Sequence, residues 1–195
     1  YWDRDAGLPD NSIRYAYLDQ QQGLWLALNR GISHIEADGQ ISLFNETKGL
    51  PGTVNSVHRY QGKLYVGTAQ GLYYLVPGPQ AHFKAIEGIR GQTWDFLSLK
   101  QQSAEQVPSQ LLVANVLGMF DVSADPVQNV QPLRANLTCL EPSHVHPGRI
   151  YSCVYGITAV EYRDGNWHDL GKVPGLSEEV RSLLETEDGK LWVGT

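Results

Sequence analysis

A short apolar run with a large residue at its second position recurs along this chain at a nearly constant interval. It occurs as Leu24-Trp25-Leu26-Ala27, Leu64-Tyr65-Val66-Gly67, Leu111-Leu112-Val113-Ala114, Ile150-Tyr151-Ser152-Cys153 and Leu191-Trp192-Val193-Gly194. The second positions, 25, 65, 112, 151 and 192, are spaced by 40, 47, 39 and 41 residues. A period of this size means that one supersecondary unit is repeated and stacked, which constrains the fold more than any single motif does. Glycines fix the phase. Gly31, Gly71, Gly118 and Gly156 follow the second positions of the first four runs by 6, 6, 6 and 5 residues. Each is followed by Ile32, Leu72, Met119 or Ile157, and three residues later by Ile35, Leu75, Val122 or Val160. A glycine at one fixed place answers a turn that demands positive φ.

A third marker precedes the runs. Gly7-Leu8-Pro9, Gly49-Leu50-Pro51 and Gly175-Leu176-Ser177 open three repeats, and Gly88-Ile89-Arg90-Gly91 is a degenerate version. Around Arg134-Ala135-Asn136-Leu137 the marker is almost erased. Between the markers each repeat reads as four short strands. Inner strands are predicted at Ile13 to Leu18, Val54 to His58, Trp94 to Leu99, Leu137 to Leu140 and Val180 to Leu184. Tight turns follow at Gln61-Gly62 and Asp188-Gly189. The aromatic run is the second strand and the segment after the glycine the third. Outer strands are predicted at Ile41 to Phe44, His82 to Ile86 and Trp167 to Leu170. No helical period is sustained. Four-stranded sheets bury both faces by packing on one another around an axis, so the fold class is all-β, a β-propeller with about four to five four-stranded antiparallel blades present, expected to be part of a larger propeller of about seven. It is read as one domain over 1–195, with repeats near 7–44, 49–86, 88–131, 132–170 and 175–195. Trp25, Tyr65, Tyr151 and Trp192 are then core between blades, since a ligand contact has no reason to recur once per blade.

Composition narrows the function. The 195 residues carry 15 basic and 21 acidic side chains, a formal charge of −6. No Lys/Arg cluster reaches the density that nucleic acid or an anionic membrane surface needs, so neither is expected as a partner. No apolar run approaches the roughly 18–20 residues that cross a bilayer, and Tyr1-Trp2-Asp3-Arg4-Asp5 has no secretory leader pattern. Cys139 and Cys153 are too few for a disulfide scaffold. They fall about opposite each other across a turn near residues 145–146. Directly opposed strand positions suit a disulfide poorly, and Cys153 takes the small-residue place of Gly67 and Gly194, so two buried thiols are expected.

Taken together, Gly-Leu-Pro, a polar turn, a Val-led strand, Asp-Gly and Leu-Trp-Val-Gly-Thr resemble the two-component regulator propeller repeat. The match is strongest at Gly175 to Thr195, with Asp188-Gly189-Lys190-Leu191-Trp192-Val193-Gly194-Thr195, and nearly as good at Gly7 to Ile35 and Gly49 to Leu75. The third and fourth repeats depart, with Leu112 in the aromatic place and Pro142 to Gly148 in place of the Asp-Gly turn. The resemblance implies an extracytoplasmic, periplasmic sensor propeller of a bacterial signalling receptor, with a histidine kinase or diguanylate cyclase as effector. It implies a ligand, in many members a glycan, and no cofactor.

The residues themselves carry no catalytic motif: Gly-x-Ser-x-Gly, Walker loop and His-Glu-x-x-His are all absent. His144 and His146 alternate on a turn without a third metal ligand and read as solvated. The carboxylates, among them Asp3, Asp5, Asp19, Asp95, Glu178, Glu179 and Glu185, are dispersed. A ligand is expected at the end that gathers the outer-to-inner loops with the turns between strands two and three, since loops on a rigid scaffold carry recognition. Asn29, Arg30, Gln70 and Asn115 lie in those turns, and Trp94 stands where other repeats have Ile or Val. A protein-docking scaffold is the competing reading, with a propeller lyase or hydrolase behind it. The chain opens at an apparent outer-strand remnant, Tyr1-Trp2, and stops at Thr195 after a second strand. A fragment that associates through its open ends, or is poorly stable alone, is therefore expected.

Overall fold

The computed structural model describes residues 7–19, 22–36, 41–99, 109–132 and 136–195. The chain divides into two compact units, Tyr1–Thr93 and Trp94–Thr195. The first holds two four-stranded antiparallel sheets. Strands β1 (Ile13–Leu18), β2 (Leu24–Leu28), β3 (Gly31–Ile35) and β4 (Ile41–Phe44) pair in sequence order. So do β5 (Val54–Tyr60), β6 (Lys63–Thr68), β7 (Gly71–Val76) and β8 (His82–Arg90). The second unit repeats the design with β9 (Thr93–Leu99, whose first residue closes the first unit), β10 (Gln110–Asn115), β11 (Gly118–Asp121) and β12 (Gln128–Pro132). It continues with β13 (Cys139–Pro142), β14 (Arg149–Val154), β15 (Gly156–Arg163) and β16 (Asn166–Lys172), and with a hairpin of β17 (Ser182–Glu185) and β18 (Leu191–Gly194). Among the described residues the only helical element is a single 3-10 turn, Glu46–Lys48. Gln61 and Gly62 both have positive φ, 48° and 79°, which matches the right-handed twist of the two strands they join.

The apolar run of each second strand divides its residues between two faces, as a period of two requires. In the first unit, Trp25 and Ala27 pack with Ile32 and Phe44 against Val54, Val57, Leu64, Val66 and Phe83 of the next sheet. Leu26 and Leu28 face the other way, with Leu8 and Ile35. In the second unit, Leu112 and Ala114 meet Leu140 and Ile150 of the following sheet, and Tyr151 and Cys153 meet Val180, Leu183 and Leu191. The second and fourth residues of each run thus cover the sheet that follows. The first and third receive the sheet that precedes. Leu112 does the work of an aromatic residue here because Met119, Leu137 and Val160 fill the same cluster.

Two expectations are corrected. Trp25, Tyr65 and Tyr151 are buried as the repeat implies, with 3%, 8% and 7% exposure, but Trp192 is 66% exposed. Leu191 packs on the preceding sheet, so Trp192 and its cross-strand partner Leu184 point to the opposite face of the hairpin, which no described residue covers. Cys139 and Cys153 are not free thiols but a disulfide. The register places them directly opposite, with Cα atoms 5.0 Å apart, inside the span that a disulfide bridges. Tyr1, Trp2, Asp3, Asp5, Arg134 and Ala135 lie outside the described residues.

Candidate functional site

The turn between strands two and three meets the next outer-to-inner loop in every repeat where both are described. Thr53 donates its hydroxyl to the Asn29 carbonyl at 3.1 Å. The Gly91 amide donates to the Gln70 carbonyl, Leu137 to that of Asn115, and Gly156 to that of Glu178. The glycine after each turn allows this approach. A side chain on Gly31 would collide with the Phe44 carbonyl, and on Gly156 its Cβ would lie 2.6 Å from the Leu176 carbonyl. Both have positive φ, 93° and 86°, a region that a Cβ penalises. Gly71 is likewise approached by the Ile89 carbonyl, and Gly118 occupies the matching place in the third sheet. The sequence-derived loop end is therefore real within each unit, and the glycines build it.

In the first unit this end carries a cleft of about 650 Å³ whose lining includes Pro9, Asn29, Arg30, Asn45, Glu46 and Thr53. Asn45 shapes its wall. Its Oδ1 accepts from the Thr47 amide at 3.0 Å and starts the 3-10 turn, which Gly49 ends in the left-handed region. Asn29 is half-buried and its Oδ1 accepts from Arg14 Nε at 2.7 Å. Arg30 is exposed, and Glu46 lines the same cleft. The cleft thus offers a guanidinium, a carboxylate and amide groups over an apolar floor at Leu50. Asn45, Glu46 and Thr47 were not legible as site residues, because the 3-10 turn interrupts the repeat without a motif of its own.

The other sequence candidates are distributed differently. Gln70 is exposed, with its side chain against Gly52. Trp94 is half-buried at the start of β9, and its indole donates to Asn136 Oδ1 at 3.1 Å. Asn115 is fully buried, and its Oδ1 accepts from the Leu117 amide at 2.9 Å, holding the turn. Asn29 and Arg30 are thus brought into one cleft, while Asn115 is folded under its own loop. His144 and His146 are exposed as expected. Among the described residues, no group of three or more His, Cys, Asp or Glu side chains is placed to hold a metal ion.

The hairpin end of each unit carries buried carboxylates that the sequence left looking dispersed. Asp19 is buried and accepts from the Gly23 amide at 2.8 Å and the Trp25 indole at 2.9 Å, with Arg59 at 3.5 Å. His34 stacks on Trp25 at 4.0 Å between ring centroids, with Nε2 3.9 Å from Asp19. Burial pulls the His34 pKa below its ordinary value, with Arg59 adding to the shift and Asp19 and Glu36 opposing it. In the second unit Glu185 accepts from the hydroxyls of Ser143 and Tyr151 and from the amides of His144 and Val145. Burial alone would raise its pKa, but these donors outweigh it and hold the carboxyl below the usual range. These networks tie turns to strands, while His34 Nε2 and Arg59 Nε are buried without a hydrogen-bond partner among the described residues.

Stacked four-stranded meanders with glycine-fitted turns define propeller blades. The family model of the two component regulator propeller matches residues 174–195, the segment that holds the β17–β18 hairpin. Comparison with curated protein sequences gives no match. Among solved structures the chain is similar to the extracellular domain of a putative hybrid two component system from B. thetaiotaomicron, at 14% identity and a TM-score of 0.69 over 96% of this chain. It is also similar to the extracellular domain of a putative one component system from the same organism, at 15% identity and TM-score 0.68 over 94% of this chain. The chain spans about a quarter of those two structures, 26% in each case. A gluconolactonase from Xanthomonas campestris is similar at 18% identity and TM-score 0.57, over 91% of this chain and 67% of that one. At these identities the likeness is one of fold.

Proposed function

We propose that this chain is part of a non-catalytic, extracytoplasmic sensor propeller of a bacterial signalling receptor, and that it presents a binding cleft for a polyhydroxylated ligand such as a glycan. The observation that carries the receptor reading is the two component regulator repeat at residues 174–195. The extracellular domains that share the fold support it. So does the Cys139–Cys153 disulfide, since such bonds persist in oxidising compartments. No helix among the described residues is long and apolar enough to cross a membrane. The ligand reading rests on the cleft around Arg30. Charged and amide groups on a rigid, half-apolar wall suit hydroxyl and carboxylate groups of a sugar. The test is calorimetric titration of the chain with a panel of neutral and uronic-acid oligosaccharides. A bound member should lose about tenfold or more in affinity on Arg30→Ala, the scale of one charge-assisted hydrogen bond. If no member of the panel binds, or if Arg30→Ala leaves binding unchanged, the cleft is not the site.

A further inference from the structure

The turn between the second and third strands displays one side chain in the same way in four repeats. Arg30, Gln70, Leu117 and Tyr155 stand immediately before Gly31, Gly71, Gly118 and Gly156. Each of the four is exposed, and the glycine after it is buried. The glycine fixes the backbone, so the residue before it is free to differ in chemistry on a rigid support. In the first unit the displayed side chains are polar. In the second they are Leu117, 49% exposed, and Tyr155, 64% exposed. The backbone around Tyr155 is held on both sides. The Gly156 amide donates to the Glu178 carbonyl at 2.7 Å, and the Val180 amide to the Val154 carbonyl at 3.0 Å. Tyr155 itself forms an isolated antiparallel bridge with Glu179. Residues opposed across such a bridge project to the same face, so the Glu179 side chain stands beside the phenol ring. Arg181 lies 3.5 Å from the Glu179 carboxylate.

We propose that Tyr155 is a stacking platform for a pyranose ring of a neutral oligosaccharide, with Glu179 and Arg181 as partners for the sugar hydroxyls. The proposal rests on the reading of the ligand as a glycan and adds a site within the second unit. A pyranose has an apolar face of ring C–H groups and a rim of hydroxyls. A tyrosine matches it with an apolar face and a wet end. A carboxylate accepts from hydroxyls and a guanidinium donates to them. The charge selects the class of sugar. Glu178 and Glu179 are both exposed at this turn, and Arg181 is already engaged by Glu179, so an acidic sugar meets like charge here. That is the reverse of the preference expected beside Arg30. A protein partner would need about 800 Å² on this side, more than one tyrosine and one leucine on separate turns supply. A single paired cation is too little for a nucleic-acid backbone.

Calorimetric titration of the full chain with cellohexaose, xylohexaose, maltohexaose and hexagalacturonate tests this. At least one of the three neutral sugars is expected to bind. Tyr155→Ala should lower its affinity about tenfold, the scale of one aromatic contact. Tyr155→Phe keeps the ring and should stay within about twofold of wild type. The exposed ring can be removed without opening the core, so these variants keep the fold. In Tyr155→Trp the new indole lies under the sugar, and its emission should change on binding by more than that of wild type. Arg30→Ala, titrated in parallel, separates this site from the cleft of the first unit. Affinity for a neutral sugar that falls with Tyr155→Ala and not with Arg30→Ala supports the Tyr155 site and speaks against the cleft. Affinity that falls with Arg30→Ala alone leaves the cleft standing and overturns the Tyr155 site. Failure of all three neutral sugars to bind also overturns it, as does Tyr155-dependent binding of hexagalacturonate alone.

Discussion

The indole Nε1–H of Trp25 donates to Oδ2 of Asp19 at 2.9 Å, so the aromatic residue that marks the repeat is tied to a buried carboxylate at the end of the preceding strand. Asp19 also fixes the Gly23 amide and faces Arg59. Removing it leaves an indole N–H, an amide and a guanidinium short of a partner in a buried place. Asp19→Ala is expected to cost about 2–4 kcal/mol, the range for a broken buried network. Urea denaturation monitored by circular dichroism measures it. A loss below about 0.5 kcal/mol, the scale of an ordinary surface substitution, would mean that the network is ornamental.

Gly31 and Gly62 both have positive φ, yet their surroundings differ. A Cβ on Gly31 would strike the Phe44 carbonyl, whereas a Cβ on Gly62 meets nothing within 4 Å. Gly31→Ala must therefore open the β2–β3 turn away from the loop that forms the Arg30 cleft. Gly62→Ala pays only backbone strain, about 1–2 kcal/mol. The expected order of thermal midpoints is wild type, then Gly62→Ala, then Gly31→Ala. Equal effects of the two would show that the close approach to Phe44 carries no weight.

The register places Cys139 and Cys153 opposite each other with Cα atoms 5.0 Å apart. Intact mass after alkylation should show no modified cysteine unless reductant is added first. The bond closes a loop of only 14 residues, for which the chain-entropy model gives about 3 kcal/mol. Reduction should therefore lower the unfolding midpoint without dissolving the fold, because Cys153 stays packed with Tyr151 and Ile157. Alkylation of the untreated chain at both positions would contradict the pairing.

Much of this architecture was legible in the sequence because a period is robust to noise at single positions. Strands β1 and β4 fall where the pattern places them, at Ile13–Leu18 and Ile41–Phe44. Their limits are set by Pro, Gly and polar neighbours rather than by tertiary contacts. Trp192 was misread because alternation tells which face a residue occupies and not whether anything lies on that face. The cysteines were misread from an average preference about opposed strand positions, whereas the local Cα separation decides. Asp19 and Glu185 looked scattered because their partners are backbone amides, an indole and a phenol, none of which a search for charge pairs detects. The cleft around Arg30 was half visible: the turn that holds Asn29 and Arg30 follows the repeat, while the 3-10 turn opposite does not.

Asp95 supplies a dependence on pH. Its Oδ2 accepts from the Leu140 amide at 2.9 Å and its Oδ1 from the Phe96 amide at 2.8 Å, which joins β9 to β13. Burial pushes its pKa up to about 6; the two amide bonds oppose the shift and the charge of Glu141 adds to it. An acid whose pKa is higher folded than unfolded binds more protons in the native state across the interval between the two values. Stability therefore falls as pH rises from about 4 to about 6 and is flat beyond. Full ionisation costs roughly 2–3 kcal/mol on this account. Asp95→Asn stays neutral and should remove that slope. His34 and His58, whose pKa values burial lowers, act in the opposite sense, since their contribution is lost as pH falls below about 6.5. They are common to both chains, so the difference between wild type and Asp95→Asn isolates the carboxyl. Urea midpoints from pH 4.5 to 7.5 should show wild type losing ground to the variant as pH rises. Parallel profiles would place the Asp95 carboxyl at an ordinary pKa and leave its tie to Leu140 without a pH cost.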